Sequence, residues 1–163
     1  MRASLVALAL LLSSCGFPLR GTAAPPFETL YIPNTSGGLA LDLKRYIQGG
    51  TNTKVIDSVD KAQARLELIG ETRGRNILSL SGAGRVRELQ LVYRVNLRVH
   101  DGKGNEFLAL TPLSITRDLT YNDTDVLAKE AEEVNIYREM QVDLVQQILR
   151  RLSAAQPAKP AVQ

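Results

Sequence analysis

From Glu88 to His100 the chain alternates, with Leu89, Leu91, Tyr93, Val95, Leu97 and Val99 set against Glu88, Gln90, Val92, Arg94, Asn96, Arg98 and His100. A period of two puts successive side chains on opposite faces of a strand, so one face of this long strand is buried and the other is largely polar. Such a strand needs paired neighbours and a second layer over its apolar face. Asp101-Gly102-Lys103-Gly104 supplies a hairpin turn into a returning strand, Glu106 to Tyr121. There Leu113, Ile115, Leu119 and Tyr121 alternate with Ser114, Thr116, Asp118 and Thr120, and Pro112 demands a bulge or an edge position. Arg117 falls on the apolar face by parity and must snorkel or find a partner. Upstream, Arg65 to Glu71 reads as a strand with Leu66 and Leu68 on one face. Arg73-Gly74-Arg75 is expected to interrupt it as a bulge before Ile77, Leu78 and Leu80 resume, and Ser81-Gly82-Ala83-Gly84 makes the turn.

The covering layer is helical. Ser36-Gly37-Gly38 opens a helix over Leu39 to Ile47, with Leu39, Leu43 and Ile47 on one face and Gly49-Gly50 as its C-cap. A second helix is predicted from Asp125 to Ala154, with Asn122, Asp123 and Asp125 at its positive end and Arg150 and Arg151 at its negative end. Its apolar stripe is Leu127, Ala131, Val134, Tyr137, Met140, Leu144, Ile148 and Leu152. At 1.5 Å per residue it spans roughly 45 Å, enough to cross a sheet. A short strand over Glu28 to Pro33 precedes both helices. The expected fold is α+β, a two-layer sandwich with two helices on one face of a mainly antiparallel sheet of about four strands. Residues 28–155 form that single domain, and 156–163, with Pro157 and Pro160, is a disordered tail.

The N-terminus is of a different kind. Met1-Arg2 precedes an apolar run, Ala3 to Leu12, far shorter than the roughly 20 residues that span a bilayer. Leu12-Ser13-Ser14-Cys15 has the form of a bacterial lipobox. On that reading residues 1–14 are a lipoprotein signal peptide, and Cys15 carries a diacylglycerol on sulfur and a further acyl chain, such as palmitate, on its amine. Several chains anchor stably where one does not. The competing reading is an ordinary secretory cleavage site with a chance cysteine. Gly16, where aspartate commonly signals inner-membrane retention, points to the outer membrane, and residues 15–27, with Pro18, Pro25 and Pro26, form a tether.

Composition removes several functions. Cys15 is the one cysteine and His100 the one histidine, so neither a disulfide nor a zinc cluster is available, and no cofactor is implied. The net charge of +3 falls to +2 when Arg2 leaves, too little for nucleic acid. Tryptophan is absent and aromatics are 5%, which argues against a stacking platform. A hydrolase would have to build its base on His100, at the end of a strand's polar face. Glu130, Glu132 and Glu133 read as a solvated face near a helix start. These observations point to a protein that is not an enzyme.

Three segments in register carry a family resemblance: Cys15-Gly16-Phe17-Pro18-Leu19-Arg20-Gly21, then Thr116-Arg117-Asp118-Leu119-Thr120-Tyr121-Asn122-Asp123 leading into Leu127-Ala128-Lys129-Glu130, then Tyr137-Arg138-Glu139-Met140 with Gln146 to Leu152. Over the mature chain except its tail, the sequence resembles the LptE family of lipopolysaccharide-assembly lipoproteins of the Gram-negative outer membrane. The resemblance implies a non-catalytic, lipid-anchored, periplasm-facing plug in the lumen of an LptD-type β-barrel, helping its assembly and delivering lipopolysaccharide to the outer leaflet. A lipoprotein of another envelope machine, for barrel assembly or phospholipid transport, is the alternative.

The resemblance also implies lipopolysaccharide binding through a lysine early in the last helix, Lys129 here, and a basic residue in a hairpin. Gly82 and Gly84 stand where that second residue is expected, leaving Arg85 and Arg87 as substitutes. Arginine engages phosphate with two parallel hydrogen bonds, which suits lipid A. Arg73 and Arg75 are expected to border the same turn and rank after them. The competing reading is a solvated hairpin, with Lys129 an exposed residue paired to Glu132 or Glu133.

Overall fold

The structure, a computed structural model, describes residues 25–122 and 124–156. The signal peptide, Cys15, the tether to residue 24, Asp123 and the tail from 157 lie outside them. The chain runs β1 (Thr29–Tyr31), α1 (Gly38–Gly50), β2 (Lys54–Ile56), a 3-10 turn (Val59–Lys61), β3 (Ala64–Leu80), β4 (Val86–His100), β5 (Glu106–Thr120) and α2 (Val126–Ser153). It is the α+β arrangement expected, with five strands rather than about four, in the order β2-β1-β3-β4-β5.

Three long strands follow from the alternation and the two turns. β3–β4 and β4–β5 are antiparallel hairpins, and the odd-numbered residues Leu89 to Val99 of β4 are all buried. The strand not foreseen is β2. β1 and β2 are three residues each and pair in parallel, a connection that needs a crossover, which α1 provides. β1 also pairs in parallel with β3, through Leu30–Ala64 and Tyr31–Arg65.

Two local expectations are corrected. Pairing is continuous through Arg73, Gly74 and Arg75, and the bulge falls between Ile69 and Thr72, where β3 advances three residues against two on β4. Gly70 takes the left-handed conformation, φ 67°, that the extra residue requires. Gly49 and Gly50 are the last residues of α1, not its cap. Thr51 closes the helix, its amide and hydroxyl both donating to Ile47 O at 3.0 and 2.9 Å. Pro112 sits on the edge strand β5 opposite Asn96, beside a bulge between Leu108 and Thr111. Arg117 finds a partner, its Nη2 lying 2.5 Å from Asp143 Oδ2 of α2.

The core lies where both helices cover the sheet. Leu39, Leu43 and Ile47 of α1 and Met140, Leu144, Ile148 and Leu152 of α2 meet Leu30, Leu66, Leu91, Tyr93, Leu97 and Val99. α2 packs on β4, β5 and α1. The further half of β3 is outside this core, and from Ile69 to Leu80 every residue but Ser79 is exposed.

Candidate functional site

The β3–β4 turn is built from serine and glycine. Ser81 N–H donates to Arg85 O at 2.7 Å, Gly84 N–H to Ser81 O at 2.9 Å, and Arg85 N–H to Ser81 Oγ at 3.1 Å. Gly84, at φ 74°, supplies the left-handed step. The turn sets Arg85 and Arg87 beside the end of β5, where Tyr121 N–H donates to Arg87 O at 2.7 Å. Ser81, Arg85, Val86, Arg87, Thr120, Tyr121 and Asn122 line an open cleft of about 340 Å³. Exposed apolar side chains stand beside it on β3: Ile77, Leu78 and Leu80 are 60%, 47% and 55% accessible.

α2 enters at this end. Its buried stripe slips by one position on leaving the core: Leu152, Ile148, Leu144, Met140 and Tyr137 are buried as expected, and Glu133 is buried next rather than Val134. The reason lies on β3, whose core-side residues beyond the bulge are Arg73 and Arg75, opposite Tyr93 and Leu91. The helix meets arginines there with polar groups. Arg75 Nε donates to Glu133 Oε1 at 2.8 Å, and the Tyr137 hydroxyl donates to Gly74 O at 2.7 Å. Leu127 and Val134 of the expected stripe turn outward. Lys129, one turn before Glu133 on the same helix face, is more than three-quarters covered, and its Nζ lies 2.8 Å from Glu132 Oε2.

The arginines of β3 are expected to border the turn but instead lie alongside α2, bonded to Gln141 and Glu133. Arg73 lies over the rings of Tyr93 and Tyr137, 4.5 and 5.5 Å from their centroids, and donates to Gln141 Oε1 at 2.6 Å. Gln141 in turn donates to Asp42 of α1 at 2.6 Å. The Tyr93 hydroxyl donates to Glu71. Burial first, then this carboxylate, push the Tyr93 pKa up to about 12, with Arg73 opposing. Arg73 is a structural strut.

A cleft of about 520 Å³ at the opposite end of the sheet is lined, among the described residues, by Arg65, Arg98, His100, Gly102, Gly104 and Glu106, none of which is a serine, threonine or cysteine nucleophile. His100 Nδ1 accepts the Gly102 N–H at 3.0 Å, and Nε2 lies 3.3 Å from Glu67 Oε1 without the alignment of a hydrogen bond. His100 closes a turn.

The family model for lipopolysaccharide assembly, LptE, matches residues 25–152, the whole α+β domain just described. The chain belongs to the LptE family. Proteins named LPS-assembly lipoprotein LptE from Yersinia pestis (strain Pestoides F) and Yersinia pseudotuberculosis (serotype O:1b) are each 31% identical over 166 residues, covering 95% of this chain and 76% of theirs. Among solved structures, lipoprotein B from Nitrosomonas europaea is 43% identical with a TM-score of 0.73, over 85% of this chain and 91% of that one. The rare lipoprotein B from Shewanella oneidensis follows at 26% and 0.65, over 77% and 92%. In this fold Arg85 and Arg87 sit at the β3–β4 turn, and Lys129 lies in the first turn of α2, the helix that follows β5. Sequence reasoning missed the engagement of Arg75 by Glu133. Its one trace in the sequence is the four-residue spacing from Lys129 to Glu133, which puts both on a single helix face.

Proposed function

We propose that this protein is an outer-membrane lipoprotein that lodges in the lumen of an LptD-type β-barrel and takes part in delivering lipopolysaccharide to the outer leaflet. Family membership supports a role in lipopolysaccharide assembly. The observation that carries the finer reading is the amphipathic end of the sheet, where Arg85 and Arg87 line one cleft, Arg87 and Leu80 line another, and Ile77 and Leu78 are exposed just before them on β3. Phosphorylated, acylated glycolipids present that combination of anionic and apolar groups. The open sheet face, with Arg94, Ser114 and Thr116 exposed, suits a water-filled lumen. Cys15, lipidated after removal of residues 1–14, tethers the domain through residues 15–27 to the periplasm-facing leaflet.

The test is a tagged purification from detergent-solubilised outer membranes, followed by lipopolysaccharide titration of the recovered protein. A near-stoichiometric barrel and at least about tenfold weaker binding by Lys129→Asp or Arg87→Asp are expected, since losing one charge-assisted contact costs about 1.5–3 kcal/mol. Recovery with a different envelope complex rejects the barrel assignment, and unchanged titrations remove those residues from the site.

A further inference from the structure

We infer that Arg75 is a further anion-binding residue of this site, held in position and attenuated by Glu133, so that Glu133 sets how tightly the site takes a phosphate. The inference rests on the lipopolysaccharide reading above and assigns a residue and a control to it. Glu133 is, with Thr53, one of two buried polar residues among those described, its side chain 11% exposed. Its partner Arg75 is the opposite, 58% exposed. The contact between them uses Arg75 Nε alone, at 2.8 Å. The guanidinium carries four further N–H donors, and these make no hydrogen bond among the described residues. A buried carboxylate thus grips one edge of an arginine whose body is in solvent.

That arrangement has two opposed consequences. The Nε contact fixes a long, flexible side chain, so a ligand meets a pre-placed fork rather than a mobile one. The negative charge behind it offsets the attraction felt by an incoming phosphate. Lys129, one helical turn away, is paired as well, with Glu132 2.8 Å from its ammonium, though there the cation is the more covered partner, 22% against 49% exposed. Lys129 and Glu133 share the α2 face that meets β3, where Ile77, two residues beyond Arg75 on the same strand face, is exposed. Each cation is masked by a carboxylate of the same helix. The chemical class recognised is an oxyanion on an amphiphile, with phosphate monoester groups and apolar chains presented together.

Glutamine at 133 separates the two consequences, because its Oε1 still accepts from Arg75 Nε while the charge is gone. Binding of purified lipopolysaccharide in detergent, titrated on the full chain, is expected to tighten about fivefold in Glu133→Gln, the scale of a partly exposed ion pair. Glu133→Ala removes the grip as well and is expected to show no gain. Arg75→Gln in the Glu133→Gln background should abolish the gain. Glu130→Gln, which removes the same charge from an exposed position, should leave affinity nearly unchanged. An unchanged or weaker Glu133→Gln, or an equal gain in Glu130→Gln, overturns the inference while leaving lipopolysaccharide binding intact. An unmodified chain that binds no lipopolysaccharide overturns the functional reading and this inference with it. Should Glu133→Gln not fold, the Arg75 side-chain N–H resonances of the unmodified chain give the same answer. They shift on titration with lipopolysaccharide if Arg75 takes phosphate, and their constancy overturns the inference.

Discussion

Tyr93 is fully buried and keeps its hydroxyl within reach of Glu71, Arg73 and Gln141, so a single side chain ties the sheet to α2. Burial and the Glu71 carboxylate favour the neutral phenol and raise its pKa from 10.0 to about 12. The folded state thus holds this proton more tightly than the unfolded chain. Stability from it is fully present below pH 10 and is lost as pH rises through about 12. Tyr93→Phe should cost about 1 kcal/mol at neutral pH through the lost hydrogen bonds. It should also flatten the fall in urea midpoint above pH 10, where the unmodified protein weakens. An identical alkaline profile in both proteins would show that another group governs that limb. Among single residues, sequence parity read Tyr93, Leu97 and Val99 correctly because burial on one strand face depends on period alone. It left Arg117 open, because Asp143, its partner, lies 26 residues away on α2.

At the scale of elements, the long hairpins and both helices were legible, since each rests on a repeated pattern or a turn signal. The misses have local causes. β2 has three residues, too few to show a period, and its place is set by β1. The apolar stripe of α2 continued through Val134 on paper, but the helix turns Glu133 inward because Arg75 awaits it across the seam. The bulge was expected at Arg73-Gly74-Arg75 because a glycine between two charges resembles an interruption. The structure chose Gly70, which has φ 67° and lies against Asn96, whose Nδ2 donates to Ile69 O at 3.2 Å. The two glycines should therefore respond differently to a methyl group. Gly70→Ala forces an L side chain into the left-handed region and should lose about 1 kcal/mol. Gly74 has an ordinary strand backbone and open space around it, so Gly74→Ala should stay within about 0.5 kcal/mol of the parent. Denaturant unfolding of the pair decides the matter, and equal losses would put the strain elsewhere.

Across the whole molecule, β4 and β5 carry the apolar core along the sheet as far as Leu89 and Leu119, whereas β3 leaves it after its first few residues. β4 has 15 residues, about 50 Å of strand at roughly 3.4 Å per residue, yet the helices bury β3 only over its first few residues. The remainder of β3 runs beside buried β4 with its own Ile77, Leu78 and Leu80 in solvent, an arrangement that gains little for the isolated chain. Two leucines make the division measurable. Leu144 is fully buried at the centre of the core, so Leu144→Ala should lose about 3 kcal/mol, with a cavity left behind. Leu80 is 55% exposed, and Leu80→Ala should change stability by no more than about 0.5 kcal/mol. Comparable losses at the two positions would make the tip part of the folding unit and remove the case for a separate binding end. With stability unmoved, a defect of Leu80→Ala in lipopolysaccharide binding belongs to the surface itself. The apolar tip is then understood by what it meets outside the domain, because nothing among the described residues covers it.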